Sequence, residues 1–67
     1  MNNTEFNPEV FRMALAKHRI SYVKVAQIAR TSTQAVSDWI HGRYKPTRWF
    51  LLREALIKAY PQLGNEI

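Results

Sequence analysis

The sequence predicts an all-α protein with four helices around one small core. Apolar residues recur at the three- and four-residue spacing of helices in four separate segments, and a capping residue or a proline stands at the start of each. No segment shows the alternating pattern of a half-buried strand. The chain has 67 residues, of which 46% are hydrophobic. That is enough for one compact domain, which we predict to span residues 1–67.

The first two predicted helices begin at capping residues. Asn7 is the predicted N-cap of the first helix, and Pro8 follows at a position where its missing N–H costs nothing. Phe6 and Phe11 have the spacing of a hydrophobic staple around this cap. Ser21 is the predicted N-cap of the second helix, which has only about two and a half turns and therefore depends on packing for its stability.

The third and fourth helices are bounded by similar signals. Ser32 is the predicted N-cap of the third helix, residues 33–41, and Gly42 suits the left-handed conformation that ends a helix. Thr47 is the predicted N-cap of the fourth helix, which Pro61 ends. Only six residues follow Pro61, so the sequence does not decide whether a short fifth helix forms there.

The apolar positions of the last two helices predict which side chains are buried. Trp39 lies between Val36 and Ile40 on the apolar stripe of the third helix, so we expect it in the core. In the fourth helix we expect Phe50 or Leu51 to face inward with the apolar residues that follow.

Trp49 lies off the clearest apolar face of the fourth helix. Exposed tryptophan is enriched at protein interfaces. One hypothesis is therefore that Trp49 is a partly exposed contact between two subunits, together with Leu63 and Ile67. The alternative is ordinary packing against the first helix.

Positive charge is concentrated in the middle of the chain. The net charge is +5, and the segment from Arg12 to Arg53 contains nine Lys and Arg against one acidic residue, Asp38. This distribution is typical of a protein that binds a polyanion. A solvated basic surface that maintains solubility is the alternative.

Several function classes find no support in the sequence. The two histidines, His18 and His41, have no partner at a spacing typical of catalysis or metal binding, and no glycine-rich phosphate loop is present. We therefore expect no enzyme activity, cofactor, metal or small-molecule ligand. The absence of cysteine, of a signal peptide and of a membrane-spanning run predicts a cytoplasmic protein.

The segment SYVKVAQIARTSTQAVSDWIHGRYKP contains two short amphipathic helices joined by small polar residues. It resembles the helix-turn-helix of the lambda-repressor and Cro-like family of bacterial and phage regulators, with the unit at residues 21–42. The turn departs from the family pattern because Arg30 and Thr31 replace the usual Gly and apolar residue. The matching residues, within a resemblance that covers about Val10 to Tyr60, are Ser21, Val25, Ala26, Ser32, Val36, Ser37, Trp39, Gly42 and the basic link to Pro46.

The resemblance implies a lambda-repressor-like fold and a sequence-specific regulator of transcription that inserts helix 33–41 into the major groove of double-stranded DNA. It also implies a homodimer on an inverted-repeat operator and autorepression of a phage, plasmid or mobile-element operon. From the way such a helix docks, the predicted base contacts are Thr33, Gln34, Ser37 and Asp38. The predicted contacts to the DNA backbone are Tyr22, Ser32, His41, Arg43, Tyr44, Lys45 and Arg48.

Two alternatives remain at this point. An architectural or excisionase-like DNA binder would share the basic helix-turn-helix but would bend DNA and occupy adjacent sites. An antitoxin-like protein-interaction module would instead bind another protein through Trp49, Phe50 and the C-terminal tail. Binding to structured RNA is less favoured because the narrow major groove of A-form RNA does not admit a helix.

Overall fold

The computed structural model describes residues 5–67, which form a compact all-α structure with dimensions of 29 × 20 × 19 Å. No strand occurs within these residues, so the predicted fold class is confirmed at the level of an all-α protein with four helices. Residues 1–4 of the predicted domain lie outside the described part. The elements are α1 (Pro8–Lys17), α2 (Tyr22–Ala29), α3 (Thr33–Ile40), α4 (Trp49–Ala59) and a C-terminal 3₁₀ helix (Pro61–Asn65).

No helix among residues 5–67 has both the length and the apolar character that crossing a bilayer requires.

The predicted cap of α1 is confirmed. The side-chain oxygen of Asn7 accepts hydrogen bonds from the backbone N–H groups of Glu9 at 3.0 Å and Val10 at 3.1 Å. The rings of Phe6 and Phe11 pack with centroids 5.3 Å apart, as the predicted staple requires. These local contacts set where α1 begins and direct the preceding chain onto the core.

The core lies where the four helices meet. α2 packs against α3 and α4, α1 packs against α3, and the 3₁₀ helix packs against α4. The buried apolar side chains come from every element and include Phe6, Phe11, Ala14, Leu15, Ile20, Val25, Ala26, Val36, Ile40, Trp49, Leu52, Leu56, Leu63 and Ile67. Trp39, predicted to be a core residue, is half-buried and packs against this cluster from its edge.

The start of α4 differs from the prediction. Arg48, not Thr47, is the N-cap residue, and no side chain caps this helix end. The prediction that Phe50 or Leu51 faces inward is also wrong, since these side chains are 60% and 45% exposed. The reason is the register of the helix: Trp49 is buried, and the positions three and seven residues later share its side.

Trp49 is a core residue: the hypothesis of a partly exposed Trp49 is wrong, and the alternative, packing against the first helix, is confirmed. The side chain is 8% exposed, and its ring packs edge-to-face on Phe6 at 4.9 Å and on Phe11 at 5.5 Å. Its indole N–H is buried without a hydrogen-bond partner among residues 5–67, so ring packing holds it in place. Leu63 and Ile67 are buried as well, so these three side chains expose too little surface for the predicted subunit contact.

Polar contacts hold the C-terminal tail on the helices. The guanidinium of Arg53 donates to the backbone oxygen of Ile67 at 2.9 Å. Lys17 Nζ lies 2.9 Å from a carboxylate oxygen of Glu66, and His18 Nε2 lies 3.6 Å from the same oxygen. The hydrogen bond from Lys17 lowers the pKa of Glu66 below its usual value. The tail is therefore attached to both α1 and α4.

Replacing Trp49 tests whether the aromatic cluster holds the fold. Trp49→Ala should lower the free energy of unfolding by about 3–5 kcal/mol, because it removes a buried ring and leaves a cavity. Urea denaturation followed by circular dichroism measures this loss. Met13→Ala is the control at an exposed position of α1 and should change stability by no more than about 0.5 kcal/mol. Equal losses for the two variants would contradict the assignment.

Candidate nucleic-acid interface

A three-residue turn, 30–32, places α3 against α2. Arg30 has φ 58° and ψ 48°, the left-handed conformation that favours glycine. This geometry brings the N–H of Thr31 to 2.9 Å from the oxygen of Ala26, which satisfies a carbonyl at the end of α2. The hydroxyl of Ser32 then accepts from the N–H of Ala35 at 3.1 Å and caps α3, as predicted. The turn is therefore tight although it contains no glycine.

The helix α3 is anchored on one side and free on the other. Val36 and Ile40 are buried in the core, and α3 packs against both α1 and α2. The first turn of α3 carries Thr33 and Gln34, whose side chains are exposed. A hydroxyl and an amide are therefore presented at the N-terminal end of an exposed helix face.

Asp38 is the centre of a small hydrogen-bonded network. One of its carboxylate oxygens accepts from the side-chain amide of Gln34 at 3.2 Å and from the guanidinium of Arg43 at 3.2 Å. The Asp38 side chain is only 18% exposed. The carboxylate of Asp38 is therefore paired within the chain, and it orients two of the predicted site residues.

The end of α3 makes this network possible. Gly42 has φ +76°, so the predicted left-handed residue at the helix end is confirmed. The chain reverses there, and the backbone N–H of Arg43 donates to the oxygen of Asp38 at 2.9 Å. The side chain of Arg43 therefore lies next to the carboxylate of Asp38, in the last turn of α3.

Ser37 and His41 form a second contact along α3. The Nδ1 atom of His41 lies 2.8 Å from the backbone oxygen of Ser37 and 3.3 Å from its hydroxyl. A carbonyl oxygen only accepts, so Nδ1 carries a hydrogen in this arrangement. The Nε2 atom of the exposed His41 ring is therefore available to form a hydrogen bond with another molecule.

The predicted backbone-contacting residues are all exposed. Tyr22 and Ser32 lie at the starts of α2 and α3, whereas the others follow the end of α3. Within residues 5–67, neither Lys45 nor Arg48 has a carboxylate partner, and only Arg43 of this basic group is paired. The exposed residues that follow one another along the chain after α3 are His41, Arg43, Tyr44, Lys45 and Arg48.

The predicted base-contacting residues fall into two groups. Thr33 and Gln34 are exposed, whereas Ser37 and Asp38 are half-buried and bonded to side chains of their own chain. The link between Gln34 and Asp38 has the i, i+4 spacing of helical neighbours, which was a usable signal in the sequence. The contact between Asp38 and Arg43 depends on the turn at Gly42, so no spacing in the sequence indicated it.

The chemistry of this surface suits an anionic partner rich in hydrogen-bond acceptors. Its amide, hydroxyl, guanidinium and ammonium groups all donate hydrogen bonds. Within residues 5–67, no group of three or more His, Cys, Asp or Glu side chains is placed to hold a metal ion.

No protein-family model matches this chain, and no curated protein or solved structure is significantly similar to it.

Replacing Arg30 tests the strained turn that positions α3. Arg30→Gly should raise the free energy of unfolding by about 0.5–1 kcal/mol, because glycine adopts the left-handed conformation without the steric penalty of a side chain. Thermal and urea unfolding measure the change. The control Arg12→Gly, at an exposed interior position of α1, should instead lower stability by about 1 kcal/mol. A loss of stability in Arg30→Gly would contradict this explanation of the turn.

Proposed function

We propose that this chain is a sequence-specific, double-stranded DNA-binding regulator of transcription, with α2 and α3 as its helix-turn-helix. One observation carries the proposal. The exposed N-terminal end of α3 carries Thr33 and Gln34, and the loop that follows the other end of α3 carries exposed cations, including Lys45. Hydrogen-bond donors for bases and charges for phosphates are thus supplied by one anchored helix and the loop that directly follows it.

The dimensions of α3 support insertion into the major groove. This groove is about 12 Å wide, which admits an α-helix of about 10–12 Å diameter. In this position Thr33 and Gln34 read the base edges, and the amide of Gln34 is suited to adenine, since it both donates and accepts. Asp38 holds the amide of Gln34 in place, and Ser37 lies one turn behind.

Phosphate contacts provide most of the affinity. The exposed cations follow the end of α3, and Tyr22 and Ser32, which carry hydroxyl groups, lie at the starts of α2 and α3, so both helices offer groups that can contact phosphates. Because each neutralised phosphate releases counterions, binding should weaken steeply as salt concentration rises.

The proposed regulator acts as a homodimer on an inverted repeat and represses by occupying its operator. A single module of this size makes a modest interface with DNA, and two modules on adjacent half-sites multiply the affinity. Autoregulation of a phage, plasmid or mobile-element operon is part of the proposal and is supported by the resemblance of residues 21–46 to lambda-repressor and Cro-like regulators.

A second candidate function is supported by a different surface. Phe50 and Leu51 are exposed apolar residues, a feature of sites that bind other proteins. A protein-interaction module of the antitoxin kind would use these residues and would not depend on Thr33 or Gln34.

Selection from a random duplex DNA library tests the proposed function. At about 150 mM salt, where nonspecific electrostatic binding is suppressed, the chain should enrich an inverted repeat with half-sites about 10 base pairs apart. Enrichment of no sequence at all would remove the proposal and favour the protein-interaction function.

The double variant Thr33→Ala with Gln34→Ala tests base reading separately from charge. It should abolish the preference for the selected operator over random DNA while leaving nonspecific affinity nearly unchanged. Lys45→Ala should behave in the opposite way, lowering affinity for both DNAs and reducing the salt slope by about 0.9. Fluorescence anisotropy titrations with both duplexes measure these effects. If the double variant still prefers the selected operator over random DNA, Thr33 and Gln34 of α3 do not recognise the bases.

Neutralising Asp38 tests the internal pairing of Arg43. Asp38→Asn should release the guanidinium for a phosphate and steepen the dependence of log K on log salt by about 0.9. Specificity should change little, because the side-chain oxygen of asparagine can still accept from the amide of Gln34. Glu9→Gln removes one acidic charge from α1 and is the control, with an expected change in slope close to zero. If log K depends on log salt with the same slope in Asp38→Asn and in the unmodified chain, Asp38 does not keep Arg43 from binding a phosphate.

A further inference from the structure

An open apolar groove lies beside the start of α4. Its volume is about 600 Å³, and it runs between the end of α2, the edge of α3 and the first turns of α4. Ile28, Trp39 and Leu52 contribute to its apolar lining, and the side chains of Arg30 and Arg48 belong to its wall. This groove was not foreseen from the sequence, because its sides come from three separate helices.

Exposed apolar side chains stand directly next to the groove. Leu51 is 45% exposed and forms part of the groove wall. Phe50, at the preceding position of α4, is 60% exposed. The first turn of α4 therefore carries an exposed apolar side chain, Phe50, and also forms one wall of the apolar groove through Leu51. A two-fold contact between identical subunits requires such a self-complementary surface, since each copy must supply both parts.

Two opposite charges near this surface, on Glu54 and Arg48, are unpaired within residues 5–67 and could pair between two copies of the chain. Glu54 lies on α4 one turn after Phe50 and is exposed, and Arg48 lies at the groove. Among residues 5–67, no ion pair involves either of these two side chains. The carboxylate near Phe50 and the guanidinium at the groove would meet when two copies associate.

We propose that a second copy of this chain docks on this groove, with Phe50 and Leu51 of each copy covering the groove of the other and Glu54 of each pairing with Arg48 of the other. The inference rests on the proposed function in one respect, because it supplies the dimer that two half-sites require, and in that dimer Arg48 serves the subunit contact in place of a phosphate contact. It assigns the subunit contact to the exposed side of α4, whereas Trp49 on the opposite side is buried in the core.

Association of the full chain without DNA tests the proposal. Sedimentation equilibrium from micromolar to millimolar concentration should show a reversible monomer–dimer equilibrium. Phe50→Glu should weaken dimerisation by at least about tenfold, because it places a charge in the apolar contact. Met13→Glu is the matched control: Met13 is 59% exposed on α1, almost the same as Phe50, and its replacement should leave the dissociation constant within about twofold of the original. Circular dichroism establishes that both variants are folded.

Charge reversal tests the predicted pairing directly. Glu54→Arg and Arg48→Glu should each weaken the dimer because like charges then face each other, and the double variant should restore association. A double variant as weak as the single ones would remove this ion pair from the interface.

Three results would overturn the proposal: a monomer at every concentration, oligomers larger than a dimer, or a dimer unaffected by Phe50→Glu. Its failure is distinguishable from failure of the proposed function. Selection of a single half-site by a monomeric chain would leave the DNA-binding function standing and overturn the dimer surface. A dimer that depends on Phe50 but selects no DNA sequence would support the dimer surface and overturn the proposed DNA-binding function.

Discussion

The packing of Trp49 against Phe6 and Phe11 is the contact on which the rest of the structure depends. It joins the segment before α1, α1 itself and the start of α4 in a chain that has no cysteine and so no disulfide. In a domain this small, each buried aromatic side chain is a large share of the total apolar burial. The burial of Trp49 also sets the rotation of α4 and thereby turns Phe50 outward.

The candidate site depends on the same packing. α3 has only eight residues, too few for a stable isolated helix, and it persists because Val36 and Ile40 are held in the core. Its other face is then free to present Thr33 and Gln34. The acidic charge of Asp38 would oppose an anionic partner, but its pairing with Arg43 reduces this repulsion and orders the residues around it.

Features that depend on neighbours in sequence were predictable. The caps at Asn7, Ser21 and Ser32 follow from a side-chain oxygen meeting N–H groups two or three residues ahead. The cap predicted at Thr47 failed because the helix after it begins where Trp49 becomes buried. Four consecutive apolar residues, 49–52, offered no periodicity from which to choose the buried ones.

By itself, then, the sequence determined the all-α class, three helix starts and the left-handed residue at Gly42, because each results from interactions within one or two turns. Only the tertiary structure decided that Trp49 is core and Phe50 surface, and that a groove opens beside α4. These outcomes depend on contacts between residues far apart in the chain, such as Trp49 and Phe6, whose geometry no local pattern encodes.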